Sequence, residues 1–144
     1  MKVKVINLNP NNSLPKYETP DSAGMDLRAN INTEYDIEPG ERILIPTGLK
    51  MAIPSGYECQ IRPRSGLALK KGITVLNTPG TIDADFRNEV GIILINHSND
   101  TFTINPGDRI AQAVFSKVEH VELEQVDELD ETERGEGGFA HTGV

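Results

Sequence analysis

GITVLNTPGTIDADF, residues 72–86, is the stretch on which the reading of this chain turns. Ile73, Thr74 and Val75 favour extended backbone, Pro79-Gly80 is a turn signal in which proline presets φ and glycine can take positive φ, and residues 81–86 run back again. The stretch therefore reads as a hairpin carrying a carboxylate, Asp83. If the two arms part instead of pairing fully, their free backbone N–H and C=O groups can read the edge of a flat polar ligand, with Asp83 at the rim.

Outward from this hairpin the same punctuation recurs. Upstream, residues 2–6 alternate as a strand does and end at the turn-forming Asn9, Pro10, Asn11 and Asn12. Residues 41–45, 49–53 and 57–61 read as three short strands separated by Glu38-Pro39-Gly40, Pro46-Thr47-Gly48 and Pro54-Ser55-Gly56. Downstream, residues 89–96 are apolar on both faces and need cover on both sides. Residues 101–104 and 109–116 follow as further strands around the turn at Pro106-Gly107-Asp108. Short strands with turn signals at this spacing imply an all-β sandwich or barrel. On the strand over 109–116, Gln112 shares a face with Ile110 and Val114 and needs a hydrogen-bond partner.

One segment departs from the strand pattern. Residues 65–71 read as a short helix, with Ser65 suited to the N-cap, Lys70 and Lys71 in the last turn and Gly72 just past the end. Arg62 and Arg64 precede it, so its N-terminus suits a phosphate equally with an ordinary surface position. In Ser22-Ala23-Gly24-Met25-Asp26-Leu27, a small-residue turn delivers Asp26, which on local sequence alone is a turn acid at the start of a strand.

At 144 residues the chain fits one domain with one core. Aromatic residues make up only 5%, lean enough that burial against neighbouring subunits is expected to add stability. Cys59 is the one cysteine, so no intramolecular disulfide forms, and no apolar N-terminal run resembles a signal peptide. A reducing, cytoplasmic location without membrane association is the expectation. The net charge of −8 is concentrated in residues 119–136, which hold 9 acidic residues and one basic residue, Arg134. The rest is balanced, which excludes general nucleic-acid binding through a broad basic surface. That acidic half is expected to carry a strand over residues 121–126. The glycine-rich end, with Arg134, Phe139, His141 and Thr142, resembles a lid over a phosphate ligand.

Five segments in order carry a resemblance: AGMDLRA (23–29), RPRSGLA (62–68), GITVLNTPGTIDADFRNEV (72–90), PGDRIAQAVF (106–115) and RGEGGFAHTG (134–143). Together they resemble the five motifs of the homotrimeric dUTP diphosphatase family. The resemblance implies a distorted jelly-roll-like subunit with one short helix near 65–71. Residues 1–118 would form the catalytic core, and residues 119–144 would add a C-terminal strand and a flexible glycine-rich arm to the same domain. It also implies a trimer whose three sites lie at subunit boundaries, hydrolysing dUTP to dUMP and pyrophosphate. Mg²⁺ would be held chiefly by the substrate phosphates, through water near Asp26, with no direct protein ligand. By the same resemblance Asp83 is the general base and Asp26 a supporting carboxylate. Arg64, Ser65, Gly66 and Gln112 take the phosphates, while Asn77, Gly80 and Thr81 with the hairpin backbone read uracil. Phe86 lies under the deoxyribose, and Arg134, Phe139, His141 and Thr142 belong to the closing arm.

The chain departs from the family pattern at four positions. Phe86 stands where tyrosine is usual, Asn88 where glycine is usual, and Ala140-His141 where Gly-Ser is common. Protonated His141 is suited to donate to the γ-phosphate. Asp83 and Asp85, two apart on an expected strand, share a face, and Asp85 is expected to pair with Arg87 as a structural acid. Rival readings are a dCTP deaminase on the same fold and a non-catalytic nucleotide-binding trimer. The complete arm and Asn77 speak against the first, and the joint presence of Asp83, Asp26, Ser65 and Gln112 against the second.

Overall fold

A computed structural model describes residues 1–139 and 141–143. Ala140 and Val144, both in the arm assigned from sequence, lie outside the described residues. Among the described residues, ten strands and one helix follow in the order β1 (Lys4–Asn7), β2 (Met25–Arg28), β3 (Tyr35–Ile37), β4 (Arg42–Ala52), β5 (Tyr57–Arg62), α1 (Ser65–Lys71), β6 (Ile73–Val75), β7 (Gly80–Ile82), β8 (Glu89–Asn96), β9 (Phe102–Ile104) and β10 (Arg109–Lys117). Two four-stranded sheets, ordered β1-β4-β8-β6 and β2-β10-β5-β7, enclose the core, and β3 pairs with β9 beside them. The described pairings are antiparallel. This is the β-sandwich that the turn spacing predicts.

One apolar cluster joins the sheets, with Ile45, Met51, Val75, Val90, Ile92 and Leu94 from one and Leu27, Cys59, Ile61, Ala111 and Ala113 from the other. The period-2 alternation of strands produces it: along β8, Val90, Ile92, Leu94 and Asn96 are buried while the residues between them are half-buried. The buried amide of Asn96 is fully used. It donates to Ile37 O and Asp100 O and accepts from Ser98 N and Ser98 Oγ, so it ties the end of β8 to the loop that follows. Cys59 is wholly buried on β5, and desolvation pushes its thiol up to about 12. A thiol so placed has almost no thiolate at neutral pH. Ellman's reagent at pH 8 is therefore expected to leave the native protein unlabelled and to titrate one thiol in denaturant; rapid native labelling would contradict this burial.

Three expectations about the elements need correction. Residues 41–45 and 49–53 do not form separate strands, because Pro46-Thr47-Gly48 makes a bulge within β4 rather than a turn. Gly48 takes φ 73°, its N–H donates to Glu89 Oε1 at 2.7 Å, and Thr47 Oγ1 donates to Val90 O at 2.7 Å. The bulge thus satisfies backbone groups that the ladder loses, and the strand continues. Ser65 is not the N-cap of α1: Arg64 holds that position with extended backbone, no side chain caps the helix, and Ser65 is its first residue. The expected strand over residues 121–126 is absent, and Val121 and Leu123 are exposed. A strand needs an edge to pair with, and within one chain this segment meets none.

The outer face of the first sheet is also apolar. Leu44 is 64% exposed and Leu76 41%; Leu44 lies opposite Ile93 in register, Leu76 N donates to Ile93 O, and Ile95 continues the row. The second apolar face that the sequence of β8 demands is therefore left to a neighbour.

Candidate active site

The arms of the 72–86 stretch part completely. β6 pairs with β8 in one sheet and β7 with β5 in the other, so the two do not form the hairpin read from sequence. Nor does Gly80 take positive φ; the reversal is made at a cis Thr78–Pro79 peptide. Between the arms lies a narrow slot lined by Ile61, Val75, Asn77, Gly80, Thr81 and Ile92. A Cβ on Gly80 would lie 3.3 Å from both Asn77 Nδ2 and Ile61 Cβ. Glycine here lets the backbone pack directly on the Asn77 amide.

At the mouth of β7 the chain turns, and Asp83 is exposed there in a cleft shared with Tyr57, Glu58, Asp85, Arg87 and His120. Because β7 ends at Ile82, Asp83 and Asp85 sit on a turn rather than sharing a strand face. Asp85 does not pair with Arg87 either. Arg87 Nη1 donates instead to Ala84 O at 2.7 Å and Phe86 O at 3.0 Å. Phe86 is partly exposed beside them, and its N–H donates to Asp83 O at 3.2 Å.

Asp26 occupies a different environment. Arg64 Nε lies 2.9 Å from Asp26 Oδ1 and Arg109 Nη1 lies 3.5 Å from Asp26 Oδ2; these are the ion pairs found among the described residues. Arg64 also donates to Arg109 O at 3.2 Å. One carboxylate thus aligns two guanidinium groups and leaves a net positive charge, the arrangement that suits a phosphate. Gln112, half-buried, donates to Pro63 O at 3.0 Å, which supplies the partner its position requires. Its Oε1 occupies the space that a side chain on Gly24 would need. Ser65 and Gly66 open the helix beside this cluster, and no atom crowds Gly66. Arg109 was not singled out by sequence; its only signal is its place on the Gln112 strand, three residues earlier.

These pieces do not meet within one chain. Gln112 lies opposite Arg62, whereas Asp83 extends β7 to the level of Glu58, and β5 separates β10 from β7. Two strand spacings make about 10 Å across the sheet and four residues about 13 Å along it. The arm stands apart as well. Arg134 Nε donates to Gly137 O at 2.8 Å, Phe139 is exposed, and Arg134, His141 and Thr142 line a separate shallow cavity. Among the described residues no three His, Cys, Asp or Glu side chains cluster as a metal cage.

The dUTPase family pattern matches residues 11–143. Deoxyuridine 5'-triphosphate nucleotidohydrolase of Fusobacterium nucleatum is 59% identical over 143 residues, covering 99% of this chain and 97% of the relative. The enzyme of the same name from Syntrophotalea carbinolica is 57% identical over 141 residues, covering 98% and 96%. Among solved structures, a Staphylococcus bacteriophage 80alpha dUTPase variant with dUpNHpp superposes with TM-score 0.85 at 28% identity, covering 99% of both chains. A phage phi11 dUTPase variant, described with a structural Mg(II) ion, gives TM-score 0.77 at 26% identity over 89% of this chain and 98% of that one.

Proposed function

The chain belongs to the dUTPase family and acts on dUTP, and we propose that it does so with Asp83 as the base. The Asp83 carboxylate takes a proton from a water whose oxygen bonds to the α-phosphorus. The bond from that phosphorus to the bridging oxygen breaks, giving dUMP and pyrophosphate. The observation that carries this assignment is the contrast between two carboxylates. Asp83 is exposed in an open cleft, while Asp26 is engaged by Arg64 and Arg109. Both oxygens of Asp26 are engaged by guanidiniums, so the carboxylate open to a water is that of Asp83.

Arg64, Arg109, Ser65, Gly66 and Gln112 then receive the phosphates. Asn77, with Gly80 and Thr81, reads uracil in the slot, and Phe86 lies under the sugar. Arg134, Phe139, His141 and Thr142 close over the ligand. The donor set fits a Mg²⁺ ion that arrives on the nucleotide, since Asp26 is shared with two guanidiniums that themselves suit phosphate oxygens. A Mg²⁺ ion carried in by the nucleotide would neutralise phosphate charge, and Asp26 would hold it through water.

Assembly of copies, three by the family resemblance, is supported by two features. The row of Leu44, Leu76, Ile93 and Ile95 lacks cover, and in one chain Asp83 lies too far from Gln112 for both to meet at one phosphorus. Among the described residues no helix is long and apolar enough to cross a membrane.

Pyrophosphate release from dUTP, dCTP, dTTP and UTP, with ammonia release from dCTP alongside, tests the assignment. The expected result is turnover of dUTP with rejection of dCTP by about 10⁴–10⁵, because a slot that hydrogen-bonds the uracil edge leaves buried groups unpaired when cytosine enters. Inactivity on dUTP, or ammonia from dCTP, would sink it.

A further inference from the structure

The six residues between β7 and β8 carry both Asp83 and Phe86, yet almost nothing packs against them. Residues 83 and 85–88 are exposed and only Ala84 is half-buried. An exposed turn of this kind samples many conformations unless polar contacts restrain it. The restraint found here is a set of hydrogen bonds centred on one side chain. Arg87 Nη1 bridges the carbonyls of Ala84 and Phe86, at 2.7 and 3.0 Å, while the Phe86 N–H closes onto Asp83 O at 3.2 Å. At the far end Asn88 Oδ1 accepts Glu89 N at 2.8 Å, and Glu89 Oε1 anchors the Gly48 bulge of β4 at 2.7 Å. The guanidinium therefore links the peptides on either side of Asp85 and Phe86, and the bulge fixes where the turn joins the sheet.

We infer that Arg87 is a positioning residue, which sets the Asp83 carboxylate and the Phe86 ring relative to the slot through the turn backbone rather than by touching the nucleotide. The inference rests on the dUTP reading above and extends it to a residue that the sequence suggested only as a partner for Asp85. Two consequences follow from holding two functional groups with one staple. Loosening it misplaces the base, which lowers turnover, and it frees the ring, which when packed under the deoxyribose leaves no room for a 2′-hydroxyl, so that rejection of UTP relaxes. A residue that merely stabilised the fold would not couple these.

The test compares wild type, Arg87→Ala and Arg87→Lys on dUTP and UTP, with melting temperatures measured in parallel. Lysine keeps a charged donor able to reach both carbonyls. Arg87→Ala is expected to lower kcat/KM for dUTP by roughly 10–100-fold, the scale on which small misplacements act. The dUTP-to-UTP preference is expected to fall at the same time, and Arg87→Lys to recover most of both. Wild-type kinetics in Arg87→Ala overturn the inference. So does an equal loss on both nucleotides with a lowered melting temperature, which marks a structural role only. Wild-type inactivity on dUTP overturns the activity itself and this inference with it.

Discussion

Asp83→Asn is expected to lower kcat for dUTP by about 10²–10⁴-fold, the contribution of a positioned general base, with little change in KM or melting temperature. The side chain is exposed, and the contact that ties this residue to its turn is made by its backbone carbonyl, which accepts from Phe86 N. Asparagine is nearly isosteric and leaves that contact intact, so the loss falls on proton transfer. The corresponding change at Asp26 acts differently. Asp26→Asn removes the charge that aligns Arg64 and Arg109 and is expected to raise KM as well as lower kcat. The comparison is made by steady-state kinetics with pyrophosphate detection. If Asp83→Asn kept turnover within about threefold of wild type while Asp26→Asn abolished it, the roles of the two carboxylates would have to be exchanged.

Much of this architecture is legible in the sequence because turns are chemically explicit. Pro-Gly and Asx-rich clusters mark nearly every strand end, but alternation does not choose the core face: β8 is apolar on both faces, and on β10 Ala111 and Ala113 are buried while Gln112 and Val114 are half-buried. The misreadings share one cause: the same residues serve two structures whose choice is made by distant partners. Pro46-Thr47-Gly48 has turn chemistry, yet Glu89 and Val90 supply the hydrogen bonds that make it a bulge. Pro79-Gly80 does reverse the chain, but β8 and β5 claim the two arms separately, which no local pattern reveals. Residues 121–126 alternate like a strand and have no edge to join in one chain. For the candidate site, five ordered motifs propose the residues by resemblance, whereas the Arg109 ion pair and the Arg87 hydrogen bonds become visible only once the strands and the turn are in place.

Mixing two inactive variants is expected to restore activity. In the proposed roles Asp83→Asn disables the base, and Gln112→Ala removes a phosphate donor whose loss is expected to cost about 10²–10³ in kcat, as for a single donor at a charged transition state. In one chain these residues lie on β10 and beyond β7, separated by β5, about 10 Å across the sheet and about 13 Å along it. A base must come within hydrogen-bond reach of the water it activates, about 3 Å, and that water must touch the same phosphorus whose oxygens Gln112 and its neighbours hold. In the proposed trimer the two requirements are met together by Asp83 of one copy facing Gln112 of another. Random assembly of the two variants then leaves about a quarter of the sites with both residues intact, by the independent choice of each contributing subunit. Co-refolding equal amounts is accordingly expected to give about a quarter of wild-type turnover, far above either parent alone. A site confined to one chain predicts no gain, because every chain in the mixture carries one lesion. Turnover equal to the average of the two parents, in a preparation shown by differential tagging to contain mixed assemblies, would therefore place the whole site within a single subunit and remove the main structural argument for the trimer.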